Sequence, residues 1–191
     1  MTVYALAALA LALPASAEVK VTTPTKPAPG AALRAVASFA APAAWTASEH
    51  ANGSDPVLEF RKGLDRISLR LFGASGSAYS GPDAFLRGPA ATTMGQAPES
   101  AGSVVVAGEK RAARRRGYPI MLGDPHAASS GRPDMASERF VIVPLRDGRF
   151  LVAAHAFESP IPSAAPDGER AFETFLKSLR LMPVKKPSKK Q

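Results

Sequence analysis

The sequence of 191 residues contains no cysteine, and this absence excludes several kinds of chemistry. Disulfides, thiolate zinc sites and cysteine nucleophiles are all ruled out. Aromatic residues are also scarce, at 7% of the chain with one tryptophan. Nucleic-acid surfaces usually combine a broad basic patch with stacking aromatic side chains. The sequence therefore predicts no nucleic-acid partner, in spite of a net charge of +8.

Long apolar runs are missing except at the N-terminus. Val3 to Leu13 form such a run, Pro14 ends it, and Ala15 to Ala17 match a small-x-small cleavage site. This pattern is typical of a signal peptide over residues 1–17, although no lysine or arginine precedes the run. The run is too short to span a bilayer. We expect export to the periplasm or the medium, with no transmembrane segment after cleavage.

The remaining chain divides by composition into three parts. Residues 18–30 contain three prolines and predict an extended linker. Residues 31–182 have the length of a single domain, which we expect to be a monomer. Residues 183–191 form a basic tail with four lysines, so half of the net charge lies there. The folded part is left with a mild positive excess, which attracts anions weakly.

Two stretches of the sequence predict β-hairpins. Residues 57–73 alternate apolar and polar side chains around a turn at Gly63 to Asp65, which predicts one buried face and one polar face. Residues 104–122 predict a second hairpin that turns at Gly108 to Lys110.

A third hairpin is predicted by residues 138–157. Asp147-Gly148 is a type I′ turn signal between two apolar runs. Both faces of each strand are apolar, which predicts central strands of a sheet that is covered on both sides.

Two helices and a core tryptophan complete the pattern. Residues 80–87 predict a short helix with Pro82 in its first turn. Asp167 caps a predicted helix that continues to Pro183, with Phe172, Phe175 and other apolar residues on one stripe. Trp45 is expected to anchor the core.

The most charged internal stretch is GEKRAARRRGY. It supplies the candidate binding residues, which are Arg111, Arg114, Arg115, Arg116 and Tyr118. On a strand, Arg114 and Arg116 share a face with Tyr118, while Arg111 and Arg115 share the other. Guanidinium groups bind carboxylates and phosphates in a bidentate manner. Two interpretations remain open: a solvated edge strand whose charge deters aggregation, or a surface that binds an acidic protein, a lipid headgroup or a cell-wall anion.

Other chemistry finds little support in the sequence. The spacing of the three histidines matches no zinc or iron motif, so we predict no metal site and no cofactor. His155 lies in a predicted central strand and is expected to be buried and hydrogen-bonded. An arrangement of Ser77, His126 and Asp124 would be needed for a hydrolase, but the GASGS segment does not match the nucleophile-elbow motif.

The order of these elements resembles the family of the photosystem II extrinsic protein PsbP with its Mog-type and DcrB-type relatives. The matching motifs are the P-x-x-W turn at Pro42 to Trp45, a hairpin at about Gly108 to Arg114, and the F-x-x-x-L-x-S-L helix at Phe172 to Leu179. The resemblance covers residues 31–182. It implies an α/β/α sandwich around an antiparallel sheet, and a role in binding and assembly in place of catalysis. It lends no catalytic residues.

The sequence as a whole predicts an exported, non-enzymatic binding or accessory protein of the cell envelope. The expected partner is an envelope protein or an anionic surface, contacted through the arginine hairpin and the SGPDAFLRGP loop at residues 80–89. Two alternatives stay open, namely an envelope hydrolase that uses a loop serine or histidine, and a purely structural domain.

Overall fold

The computed structural model describes residues 29–120, 134–159 and 167–183. The predicted signal peptide, the basic tail, most of the linker, Asp124 and His126 lie outside these ranges. The elements of the described residues are, in chain order, α1 Pro29–Arg34, β1 Ala37–Ser38, β2 Thr46–Asn52, β3 Asp55–Lys62, β4 Asp65–Phe72, α2 Pro82–Arg87, β5 Glu99–Val106, β6 Glu109–Ile120, β7 Asp134–Pro144, β8 Phe150–Phe157, α3 Asp167–Ser178 and β9 Arg180–Leu181.

Seven strands form one antiparallel sheet in the order β2-β3-β4-β8-β7-β6-β5, and β1 pairs with β9 separately. Within β2 to β4 and within β5 to β8, each strand pairs with its neighbours in sequence. The two groups meet where β4 pairs with β8 at the middle of the sheet. The expected antiparallel sheet is therefore confirmed, in a fold that is mostly β with few helices. The predicted central position of β7 and β8 is also confirmed, because all but one of the β8 residues are buried.

One face of this sheet, the α1/α3 face, is apolar over most of its area. Leu33 of α1 and Phe172, Phe175 and Leu176 of α3 pack on it and are at most 1% exposed. The strand residues beneath these helices are Leu58, Phe60, Ile67, Leu69, Leu71, Ala113, Val141, Val143, Leu151 and Ala153. Burying this much apolar surface is the main stabilising contribution to the fold.

The opposite face, the α2 face, is divided into two halves. In one half, Phe85 of α2 packs on Phe72, Phe140 and Phe150, whose rings lie 5.4 to 6.0 Å from the Phe85 ring. The other half carries arginines and glutamates in place of aromatic rings. Only one helix, of six residues, contributes to this face in the described part of the chain.

Two hairpin turns differ from their predictions. Val106 pairs with Glu109, so the β5–β6 turn is Ala107-Gly108, with φ of 52° and 82° as a type I′ turn requires. The β7–β8 loop contains Arg146 to Gly148, closed by hydrogen bonds between Leu145 and Arg149 and between Gly148 and Leu145. The predicted type I′ turn at Asp147-Gly148 is wrong, because only Gly148 has positive φ.

Three further differences concern element bounds. Helix α3 ends at Ser178 and not at Pro183, because Arg180 and Leu181 pair with β1. Helix α1 already begins at Pro29, within the range that was expected to be linker. The edge strand β2 was not predicted, since all seven of its residues are exposed and show no apolar alternation.

Candidate anion-binding surface

The five candidate residues of β6 do not form one site. The strand alternates, so Ala113 enters the core of the α1/α3 face while Arg114 lies opposite Phe140 on the α2 face. Arg116 and Tyr118 share the α2 face with Arg114. This was the predicted division of the strand, and it separates the residues into two sets with different surroundings.

Arg111 and Arg115 belong to the α1/α3 face, near its outer edge. The Arg111 Nη2 atom lies 2.5 Å from a Glu109 carboxylate oxygen, so that guanidinium is already paired within the hairpin. Arg115 is exposed, lies opposite Glu99 of β5 and Arg139 of β7, and forms no ion pair with the described residues.

Arg114 lies at a groove between α2 and the strands β6 and β7. The groove encloses about 270 Å³ and has Phe140 and Ile142 on its floor, with Leu86 of α2 on one wall. Lys110 and Arg114 both line it. Neither cation has a carboxylate at ion-pair distance in the part of the chain that the structure describes. The groove therefore combines apolar surface with two unneutralised positive charges.

Arg116 and Tyr118 instead belong to an ionic network on the same face. Its members are Glu59, Arg61, Arg66, Arg70, Arg116, Tyr118, Glu138 and Glu158. Arg116 donates to Glu138 at 2.7 Å, and the Tyr118 hydroxyl accepts a hydrogen bond from Arg66 at 3.2 Å. The Arg116 guanidinium also lies over the Tyr118 ring, 5.3 Å from its centroid. These two candidate residues are engaged inside the protein.

Arg66 is the centre of the network. It donates to Glu158 at 2.9 Å and to Glu59 at 3.3 Å, and lies 3.5 Å from Glu138. Burial alone would lower the pKa of Arg66, but the bond to Tyr118 and the charges of Glu138 and Glu59 raise that pKa above its usual value. The guanidinium is thus a fixed positive charge at the middle of the sheet.

Burial also raises the pKa of the Tyr118 phenol above its ordinary value of 10.0, an effect that the hydrogen bond from Arg66 only partly offsets. The phenol is therefore held in its protonated form.

Small residues on β8 make room for this network. Ala154 and Ala156 face it from the strand between β4 and β7, and Ala156 pairs with both Arg66 and Glu138. A larger side chain at Ala156 would occupy the space that the Arg66 guanidinium crosses. The predicted polar face of the β3–β4 hairpin is consequently buried in part, with Arg66 only 8% exposed and Ser68 1% exposed.

Ser77 and His155, which were considered for other chemistry, have structural partners. The Ser77 hydroxyl accepts from the Gly73 amide at 3.0 Å and donates to the Tyr79 carbonyl, which closes its loop. His155 is buried as predicted and bonds Asp65 at 2.8 Å. Trp45 is half-buried against the core of the α1/α3 face, and His50 is exposed on the edge strand β2.

No known protein family matches the chain, and no curated protein matches it either. Across residues 29–120, 134–159 and 167–183, no three histidine or carboxylate side chains come together in a way that would hold a metal ion. No helix within those ranges has the length and apolar character needed to cross a membrane.

Proposed function

We propose that this protein is an exported, non-enzymatic binding protein of the cell envelope that recognises an acidic segment of a partner protein through the α2 groove. The observation that carries the proposal is the contrast between neighbouring cations. Arg116 is neutralised by Glu138 at 2.7 Å, whereas Lys110 and Arg114 have no such partner among the described residues and flank an apolar floor.

The groove fits a short acidic segment better than a cofactor. Its volume of about 270 Å³ is below the range of typical small-molecule pockets. One apolar side chain of the partner would cover the partly exposed Leu86 and Ile142, which lie over the buried Phe140. A neighbouring carboxylate would meet the Arg114 guanidinium in a bidentate pair. Exposed ion pairs contribute at most about 1 kcal/mol each, so the apolar contact must supply much of the affinity.

The proposal extends to the fold family and to localisation. Helices α1 and α3 on one face of the antiparallel sheet and α2 on the other support the α/β/α sandwich of PsbP-like proteins as the finer description. Export rests on the apolar run at residues 3–13 and its cleavage motif. N-terminal sequencing of the exported protein tests this, because a mature chain that starts at Met1 would contradict it.

Peptide binding tests the groove directly. The probes are two synthetic glutamate-rich octapeptides of equal charge, one with a central phenylalanine and one with alanine. We expect the phenylalanine peptide to bind about tenfold more tightly, because it covers the apolar floor. Changing Lys110→Gln together with Arg114→Gln should weaken its binding about tenfold.

The matched control removes one lysine and one arginine elsewhere. Arg170→Gln with Lys177→Gln takes the same two charges from the exposed side of α3, on the opposite face of the sheet. Binding should then be unchanged. Equal losses in the two double variants would mean that net charge alone attracts the peptide, and would reject the groove as the site.

A further inference from the structure

Two arginines on the same face of β4 have very different surroundings. Arg66 contacts three carboxylates and a phenol hydroxyl. Arg70, four residues further along β4, has a single ion-pair contact with the described residues, at 3.9 Å to Glu138. Its side chain is 20% exposed, and its Nε atom is buried with no hydrogen-bond partner in the part of the chain that the structure describes.

All three carboxylates of the network contact arginines other than Arg70. Glu59 and Glu158 each contact both Arg61 and Arg66. Glu138 accepts from Arg116 at 2.7 Å through Oε2, while its Oε1 is buried, lies 3.5 Å from Arg66 and 3.9 Å from Arg70, and accepts no hydrogen bond from the described residues. Four arginines therefore share three carboxylates, and Arg70 has the longest contact among these pairs.

A second observation points to the same place. The Ser68 hydroxyl, two residues before Arg70 on the same face, is buried and has no hydrogen-bond partner within residues 29–120, 134–159 and 167–183. Buried polar groups almost always have partners in folded proteins, so two unpaired donors side by side call for an explanation. Water can satisfy a hydroxyl, but it cannot balance the charge of a guanidinium.

We propose that Arg70 binds a small dissolved oxyanion, a free phosphate or carboxylate, with the Ser68 hydroxyl as an additional donor. The exposed part of the Arg70 side chain gives solvent access to the guanidinium. This site does not rest on the groove, since neither Arg70 nor Ser68 lines it.

The electrostatic surroundings agree with this assignment. Burial lowers the pKa of Arg70, Glu138 raises it, and the neighbouring charges of Arg66 and Arg116 lower it again. A bound anion would offset both the desolvation and the repulsion between these arginines.

The test titrates inorganic phosphate and, separately, acetate into the purified protein by calorimetry and follows thermal unfolding, with chloride at matched ionic strength as the reference. We expect one of the two anions to bind and to raise the unfolding temperature by about 5 °C or more at 100 times its Kd. The anion that binds identifies the chemistry, phosphate or carboxylate. If neither binds better than chloride, the proposal is overturned.

Three variants distinguish a ligand residue from a structural one. Arg70→Met should abolish anion binding and leave the unliganded protein at least as stable as the wild type, because it removes a poorly paired buried charge. Arg61→Met, which removes an exposed arginine of the same network, should retain the anion affinity within about twofold. Arg70→Lys keeps the positive charge but lacks the planar guanidinium group with its paired N–H donors, and it should bind the anion at least tenfold more weakly. Undiminished binding by Arg70→Lys or Arg70→Met would overturn the proposal.

Discussion

The two faces of the sheet are covered and stabilised by different kinds of contact. On the α1/α3 face, apolar strand residues are covered by two helices whose buried side chains are also apolar. On the α2 face, an aromatic cluster covers one half and paired charges occupy the other. Burial of apolar area is favourable wherever it occurs, whereas a buried charge is tolerated only with its partners in place. The stability of the α1/α3 face therefore depends on how much apolar area is buried. The stability of the α2 face depends on each buried charge keeping its partner.

The largest effect should come from the α1/α3 face. Phe175 is 1% exposed, and its ring lies 5.6 Å from that of Phe39 and 5.8 Å from that of Phe60. Phe175→Ala should lower the free energy of unfolding by about 3–5 kcal/mol, because it leaves a cavity under α3. Urea unfolding measures this, and Phe175→Leu, which fills most of the volume, should cost less than half as much. A loss below about 1 kcal/mol for Phe175→Ala would show that α3 does not close this core.

A slightly smaller effect is expected in the ionic half of the α2 face. Glu138→Gln keeps the shape of the side chain but leaves Arg66, Arg70 and Arg116 with one carboxylate fewer. We expect a loss of about 3 kcal/mol in unfolding free energy, since uncompensated buried charges are costly. The matched control is Glu173→Gln, at an exposed carboxylate 3.7 Å from Arg139, where the change should stay within about 0.5 kcal/mol. Equal results for the two would mean that the ionic half is solvated like an ordinary surface.

The smallest effect concerns pH and Tyr118. The pKa of its phenol is raised in the folded protein, so its contribution is fully present below pH 10.0 and is lost as the pH rises through the folded pKa. Tyr118→Phe should cost about 1 kcal/mol at neutral pH, through the lost hydrogen bond from Arg66. Its deficit relative to the wild type should then shrink on the alkaline side. Unfolding measured from about pH 8 to about pH 11 tests this, and a constant difference would contradict it.

Continuous apolar runs made the centre of the sheet predictable. Residues 140–143 and 150–154 are apolar on both faces, and a strand with no polar side is unfavourable at the edge of a sheet. Strand β2 could not be recognised in the same way, because its seven residues are all exposed. Its strand conformation depends on pairing with β3, which the local sequence does not show. The residue types in a turn were an equally limited guide to its conformation. Asp147-Gly148 has the sequence of a type I′ turn but lies in a longer loop.

The ionic network was hidden for a different reason. In an alternating hairpin, arginine and glutamate are naturally assigned to the solvent side. The burial of Arg66 depends on Ala156, which becomes its neighbour only when β8 pairs with β4. The division of β6 into two faces was visible from spacing alone, but the partners of Arg116 and Tyr118 lie on β7 and β4. Local pattern thus predicts which way a side chain points and not what it meets.

The pairing of β4 with β8 has a consequence for how the chain folds. Strands β2 to β4 and β5 to β8 each form a meander in which strands adjacent in sequence pair with each other. The eight residue pairs between β4 and β8 are the junction of these two meanders, and they join segments far apart in sequence. Closing such a large loop costs chain entropy before any contact compensates it, and this slows folding. The rate-limiting step should therefore be the meeting of two preformed halves, with the Arg66 network completed only after they meet.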